Sequence, residues 1–176
     1  MIRILGILVA LVIAFLLAIS LLGPGDWGNR NSDERARREL KQRHSELVTI
    51  VDFYPLLSQE FYGRDDTFPP SVMDSLKLFL KSNLKYVEHL VPVQRELLTR
   101  KNPYTGRPGL QLQYADYVEY IKAADKRDFR GFLIYQPLEC KHVKKSPKGS
   151  APEQSCEHYN IYATGQQGQL INKISR

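Results

Sequence analysis

"HYNIYATGQQGQLINKI", residues 158–174, contains two strand-like runs on either side of a turn sequence. The runs 158–164 and 169–174 are rich in aromatic and β-branched residues, and residues 165–168 read GQQG. Short runs of this kind around a glycine-containing turn are typical of a β-hairpin. The sequence therefore predicts an antiparallel hairpin in the C-terminal part of the chain.

More strand-like sequence lies before this hairpin. Residues 131–135, GFLIY, form an apolar run that stops before Pro137, and side chains alternate in character over 110–114 and 117–120. Alternation and β-rich composition both predict strands. We therefore expect a sheet that includes the hairpin.

Helical periodicity dominates the residues that precede the sheet. Side chains recur at spacings of four and three along one stripe, which predicts a long amphipathic helix. The stripe consists of Leu40, His44, Leu47, Val51 and Tyr54, and Leu57 and Phe61 extend it. A second helical stripe runs over 72–90. Helices followed by strands predict an α+β fold in which the long helix packs on an antiparallel sheet.

The N-terminal segment differs from the rest of the chain. Residues 4–22 contain no charged side chain, and as a helix they would extend about 28 Å, close to the hydrocarbon thickness of a bilayer. We expect residues 1–23 to be a transmembrane helix that anchors the protein in the lipid bilayer, or a cleaved secretory signal. Residues 24–31 are then a linker because they contain glycines and a proline, and residues 32–176 are the α+β domain.

The charge pattern and the cysteines predict opposite sides of the membrane for the α+β domain. Basic residues follow the apolar segment closely, and the positive-inside rule would keep the domain cytoplasmic. These residues are Arg30, Arg35, Arg37, Arg38 and Lys41. The two cysteines, Cys140 and Cys156, suit one disulfide in an oxidising compartment. We give the cysteines more weight and expect the domain to be exported.

The same cysteines carry the sharpest chemical pattern. Cys140 precedes His142 by two positions and Cys156 precedes His158 by two. Residues two apart on a strand share a face, so these four side chains could form a Cys₂His₂ zinc site. Because exported cysteines are usually oxidised and the spacing is unlike that of zinc fingers, we predict the disulfide and no cofactor, with zinc as the alternative.

Positive charge accumulates between the cysteines. The chain has a net charge of +6, and the lysines of this segment are Lys141, Lys144, Lys145 and Lys148. Such runs are mostly solvated loops, but this one is also the candidate contact loop for an acidic partner. Binding of an anionic polymer such as DNA through residues 141–148 is the alternative function, and it would weaken steeply with salt.

The tyrosines of the strand region allow two interpretations. They are Tyr114, Tyr117, Tyr120, Tyr135, Tyr159 and Tyr162. These rings together with the nearby cations Lys126, Arg127 and Arg130 could stack on bases or bind a partner protein. We expect instead that half of the tyrosines line the core face of the sheet, with their hydroxyl groups in water at its rim.

The loop KNPYTGRPG, residues 101–109, lies between the helical and strand-like parts. Pro103 restricts φ as a turn requires, Gly106 can adopt positive φ, and Tyr104 can lay its ring on neighbouring apolar surface. We predict a rigid structural turn.

The order of these features resembles the periplasmic domain of type IV pilins and type II secretion pseudopilins. The resemblance covers roughly residues 34–174. It is carried by the apolar N-terminal helix, the amphipathic helix, the step FYGRDDTFPPSV, the NPYTG loop and the closing hairpin. It implies a single-pass protein of the bacterial inner membrane that contacts other envelope proteins of a secretion or pilus-type assembly. The family's cleavage motif and fifth-position glutamate are missing, which favours a tethered domain over a polymerising pilin.

Motifs for catalysis are missing from the sequence. It has no nucleophile elbow, phosphate-binding loop, dinucleotide fingerprint or zinc-protease motif. The acid pairs at 65–66 and 125–128 lie in polar, turn-like surroundings. We therefore predict no catalytic residue, and a structural or interaction role in place of an enzymatic one.

Overall fold

The structure is a computed structural model that describes residues 24–84, 87–143 and 154–176. The predicted anchor or signal, 1–23, lies outside these residues. Within the described part of the chain, no helix has both the length and the apolar character that a membrane span requires. The chain divides into two units between Arg35 and Ala36, and the second unit contains the sheet and its helices.

Five α-helices and four strands are present among the described residues. The helices are α1 (Pro24–Asp52), α2 (Tyr54–Tyr62), α3 (Val72–Lys81), α4 (Val91–Glu96) and α5 (Tyr117–Lys122). The strands are β1 (Tyr114–Asp116), β2 (Leu133–His142), β3 (Gln154–Thr164) and β4 (Leu170–Ser175). Short 3₁₀ turns occupy Glu88–Leu90, Leu110–Leu112 and Lys126–Phe129.

Residues 24–31, which the sequence predicts as a linker, are helical in the structure and form the start of α1. Pro24 is the first residue of this helix, where a proline has no intrahelical amide bond to lose. The glycines within the segment lower helix propensity without preventing the helix.

The sheet has the order β1-β2-β3-β4. The prediction of an antiparallel sheet is wrong, because β1 pairs with β2 in parallel while the other two pairs are antiparallel. Between β1 and β2 the chain passes through α5 and a 3₁₀ turn, a crossover that returns it in the same direction. The fold is therefore α+β with a mixed sheet, and the prediction of an N-terminal transmembrane helix has no counterpart in the described residues.

The predicted stripe of α1 lies against one face of the sheet. Leu40, Leu47 and Val51 are at most 1% exposed and share one core cluster with sheet residues such as Ile161. His44, in the same stripe, has its Nε2 atom 2.9 Å from the carbonyl oxygen of Ile161. The buried stripe thus explains why α1 and the sheet form one core.

A thinner layer covers the other face of the sheet. Ala115, Tyr120 of α5, Phe132 and Ile134 form a second buried cluster, and Phe129 of the Lys126–Phe129 turn packs against it. The hydroxyl group of Tyr120 donates a hydrogen bond of 3.1 Å to the carbonyl oxygen of Gly168, which ties the turn of the β3–β4 hairpin to this layer.

Candidate functional site

The NPYTG loop is organised by the side chain of Asn102, which is 1% exposed. Its Oδ1 atom accepts hydrogen bonds of 3.0 Å from the backbone amides of Tyr104 and Thr105. The backbone carbonyl of Asn102 also accepts from Gly106, whose φ of 68° is in the left-handed region that glycine adopts most readily. One buried carboxamide therefore closes the turn that carries Pro103, Tyr104 and Gly106.

The other end of the Asn102 carboxamide reaches a distant part of the chain. Its Nδ2 atom donates to the carbonyl oxygens of Leu112 and Arg130 at 2.8 and 2.9 Å, and that of Gly131 lies 3.3 Å away. Gly131 has a φ of 72°, and a Cβ atom there would lie 2.7 Å from Oδ1 of Asn102. Asn102 thus joins the loop directly to the segment that precedes β2.

A surface cleft lies between these two segments. Its cationic part has a volume of about 350 Å³. The lining residues of this part are Tyr104, Thr105, Arg107, Leu112, Arg127, Asp128, Arg130 and Phe132.

An apolar part of about 400 Å³ continues the cleft. Its lining residues are Met73, Gln111, Leu112, Tyr114, Ala115, Glu119, Asp128, Phe129 and Phe132. Because both parts include Leu112, Asp128 and Phe132, we treat them as one site and call it the arginine cleft. Leu112 is 39% exposed, so apolar surface is open to a ligand there.

The three arginines of the cleft have different electrostatic environments. Arg127 forms an ion pair of 2.8 Å with Asp125, and this hydrogen bonding lowers the pKa of the Asp125 carboxyl. Arg107 and Arg130 are exposed and form no ion pair with any described carboxylate. Asp128 provides the negative charge shared by both parts of the cleft. Two guanidinium groups thus remain open to an anionic ligand.

The described lining of the cleft contains arginine, tyrosine, threonine and carboxylate side chains, and it contains no histidine, cysteine or serine. Burial raises the pKa of Tyr114, so its phenol stays protonated at neutral pH. No group of three or more histidine, cysteine or acidic side chains is positioned to hold a metal ion among the described residues.

The predicted disulfide between Cys140 and Cys156 is confirmed. The two residues are directly opposite each other on β2 and β3. Because their sulfur atoms are bonded to each other, they do not offer the thiolates that the alternative zinc site with His142 and His158 requires. The Nε2 atom of His158 instead lies 3.8 Å from a carboxylate oxygen of Glu139.

The predicted contact loop lies mostly outside the described residues. Lys144, Lys145 and Lys148 belong to the segment 144–153, which the structure does not describe. Lys141 is described, and its ammonium group pairs with Glu157 across the β2–β3 ladder. The charge of this lysine is therefore already partly compensated within the domain.

Two residues of the site, Asn102 and Arg107, were not recognised from the sequence, whereas Arg127 and Arg130 were named there as cations near the tyrosines. Asn102 gave a usable signal, since asparagine before proline is common where a side chain closes a turn. Arg107 gave none, because it is far from Arg130 in the chain and only the fold brings the two residues to one cleft.

Comparison of the chain with protein-family models, with curated proteins and with solved structures found no match in any of the three. The resemblance to pilins and pseudopilins therefore stays a prediction from the sequence. The geometry of the arginine cleft is the main guide to function.

Proposed function

We propose that residues 36–176 are a non-enzymatic interaction domain that works outside the cytoplasm and binds a partner protein of a bacterial envelope assembly. The observation that carries the proposal is the arginine cleft. It combines open apolar surface with two guanidinium groups that pair with no described carboxylate. Protein interfaces are enriched in arginine and aromatic side chains, both of which line this cleft.

The disulfide supports the compartment named in this proposal. Disulfides persist mainly in oxidising environments such as the periplasm and are rare in the cytosol. The bond between Cys140 and Cys156 joins neighbouring strands, so it stabilises the sheet on which the domain is built.

The type of assembly is proposed from the sequence resemblance. A secretion or pilus-type assembly agrees with the order of the amphipathic helix, the NPYTG loop and the closing hairpin. The packing of α1 on the sheet and the β3–β4 hairpin are compatible with such a role.

Site-specific photocrosslinking in the source bacterium tests the interaction. A photoreactive amino acid at Leu112, in the cleft, should give a discrete crosslinked protein product on irradiation. The matched control is Leu56, which is 63% exposed on α2 and outside the cleft. The proposal fails if Leu112 gives no product, or only the products that Leu56 gives.

A reporter fusion tests the compartment independently. Alkaline phosphatase joined after Arg176 is active only where its own disulfides form, so activity in intact cells is expected. An inactive but full-length fusion would contradict export.

A further inference from the structure

We infer that the arginine cleft recognises an acidic peptide segment of a partner protein, in which a carboxylate side chain lies next to a bulky apolar one. The inference rests on the proposed interaction role and specifies the chemistry of the ligand. Arg107 and Arg130, which pair with no described carboxylate, would hold the carboxylate of the ligand. The adjoining apolar surface would hold the apolar side chain next to it.

The cationic part of the cleft suits a carboxylate group. Arg107 and Arg130 both present planar guanidinium groups, which can hold a carboxylate through two parallel hydrogen bonds. Arg127 contributes less, because Asp125 already occupies its guanidinium group.

Negative charge within the cleft argues against phosphate and nucleic acid as ligands. Asp128 lines both parts, and Glu119 lines the apolar part. A phosphate dianion or a phosphodiester backbone would be repelled by these carboxylates more strongly than one carboxylate held at the arginine end. The mixed charge therefore favours a ligand with a localised single charge.

The apolar part has room for a side chain beside that carboxylate. Its volume of about 400 Å³ is within the usual range of ligand pockets, roughly 300–1,000 Å³. Met73, Leu112 and Phe129 provide apolar lining there, and Leu112 is the most exposed of the three. An isolated anion would leave this surface in contact with water.

The two walls of the cleft are already fixed in place. Asn102 bonds the Tyr104–Thr105 side to the Arg130 side through one carboxamide. A ligand therefore does not need to order these walls on binding, which lowers the entropic cost of recognition.

Binding of three fluorescein-labelled synthetic peptides to the full chain tests the inference by fluorescence polarisation. One hexapeptide places a single glutamate next to a leucine among glycines, the second has lysine in place of the glutamate, and the third has serine in place of the leucine. Only the glutamate–leucine peptide should bind well, and each control peptide should bind at least about 10-fold more weakly.

Variants then locate the binding to the cleft. Arg107→Gln and Arg130→Gln should each weaken the glutamate–leucine peptide about 10-fold, because each removes a charge-assisted contact. Leu112→Ser should weaken it several-fold without changing the binding of the glutamate–serine peptide. The matched control is Arg95→Gln, since Arg95 is an exposed arginine on α4 outside the cleft.

Four results would overturn the inference: no binding of the glutamate–leucine peptide at about 1 mM, equal binding of all three peptides, arginine variants that bind as Arg95→Gln does, and tighter binding of the lysine–leucine peptide. If the Leu112 crosslink forms while the peptides fail, the ligand chemistry is wrong and the interaction role remains. If the crosslink fails, the interaction role itself is refuted.

Discussion

Replacement of Asn102 provides the sharpest test of how this domain is held together. Its Oδ1 atom accepts hydrogen bonds from two backbone amides, and its Nδ2 group donates hydrogen bonds to the carbonyl oxygens of Leu112 and Arg130. The carbonyl of Gly131, at 3.3 Å, is a weaker third acceptor. In Asn102→Ala these backbone groups lose their partner within a buried site.

The expected loss follows from these four main hydrogen bonds. Each contributes about 1 kcal/mol net, and an orphaned buried group costs more, so Asn102→Ala should lower the free energy of unfolding by about 3–5 kcal/mol. Small domains have a total of only about 5–15 kcal/mol. The variant should therefore fold marginally.

Equilibrium unfolding in urea at pH 7, followed by circular dichroism, measures this loss. Asn83→Ala is the matched control, because Asn83 is exposed and should change stability by less than about 0.5 kcal/mol. Asn102→Asp keeps the acceptor oxygen but turns a carboxylate oxygen toward two carbonyls, so it should be at least as damaging as alanine. A loss below about 1 kcal/mol for Asn102→Ala would refute the argument that one carboxamide joins the two segments.

Three further predictions concern the hairpin turn, the disulfide and the buried histidine. Gly168→Ala should lower the melting temperature far more than Gly106→Ala. Both glycines have positive φ, but a Cβ atom at 168 would lie 1.7 Å from the carbonyl oxygen of Lys126, whereas a Cβ atom at 106 would have no atom within 4 Å. Equal losses of melting temperature would contradict the close contact between Gly168 and the backbone of Lys126. Replacing both cysteines by serine should cost about 3 kcal/mol in urea unfolding, since the bond closes a loop with a sequence separation of 16, and an unchanged midpoint would show that the bond adds no stability. Burial lowers the pKa of His44 below 6.5, so the unfolded state binds a proton that the folded state does not as pH falls through that value. The free energy of unfolding should therefore decrease as the pH falls from about 7.5 to 5, which urea midpoints at the two pH values would measure. His44→Gln should reduce the difference between these midpoints. An unchanged difference would exclude His44 as the source of the pH dependence.

Periodicity in the sequence predicted the elements that bury one continuous face. The α1 stripe and the β3–β4 hairpin both follow from spacing and turn residues, because each element is long enough for its pattern to stand out. The parallel strand β1 did not follow, since it has only three residues and its direction is set by the crossover through α5.

The second helical stripe shows how a side chain can end a helix that periodicity extends. The sequence predicts helix over 72–90, but α3 stops at Lys81. The carboxamide of Gln94 donates to the carbonyl oxygens of Phe79 and Ser82 at the C-terminal end of α3, where carbonyl groups need partners from outside the helix. A contact of this kind between distant residues cannot be predicted from the hydrophobic periodicity of the helix.

The tyrosines also depart from the prediction that their hydroxyl groups are in water. Tyr135 donates to the carbonyl oxygen of Pro69 at 2.7 Å, and Tyr159 donates to the carboxylate of Asp52 at 2.6 Å. Burial raises the pKa of both phenols, so they remain hydrogen-bond donors at neutral pH. These rings link the sheet to the helical layer and are not exposed for stacking on bases.

The arginine cleft contributes both to the stability of the domain and to the proposed peptide binding, but the two properties depend on different residues. Asn102 faces inward and fixes both walls, whereas Arg107 and Arg130 face solvent and carry no described ion pair. Asn102→Ala should therefore lose stability and peptide binding together, while the arginine variants should lose binding at unchanged stability. If all of these variants lost stability equally, the arginines would be part of the structural framework, and the cleft would no longer be a surface reserved for a ligand.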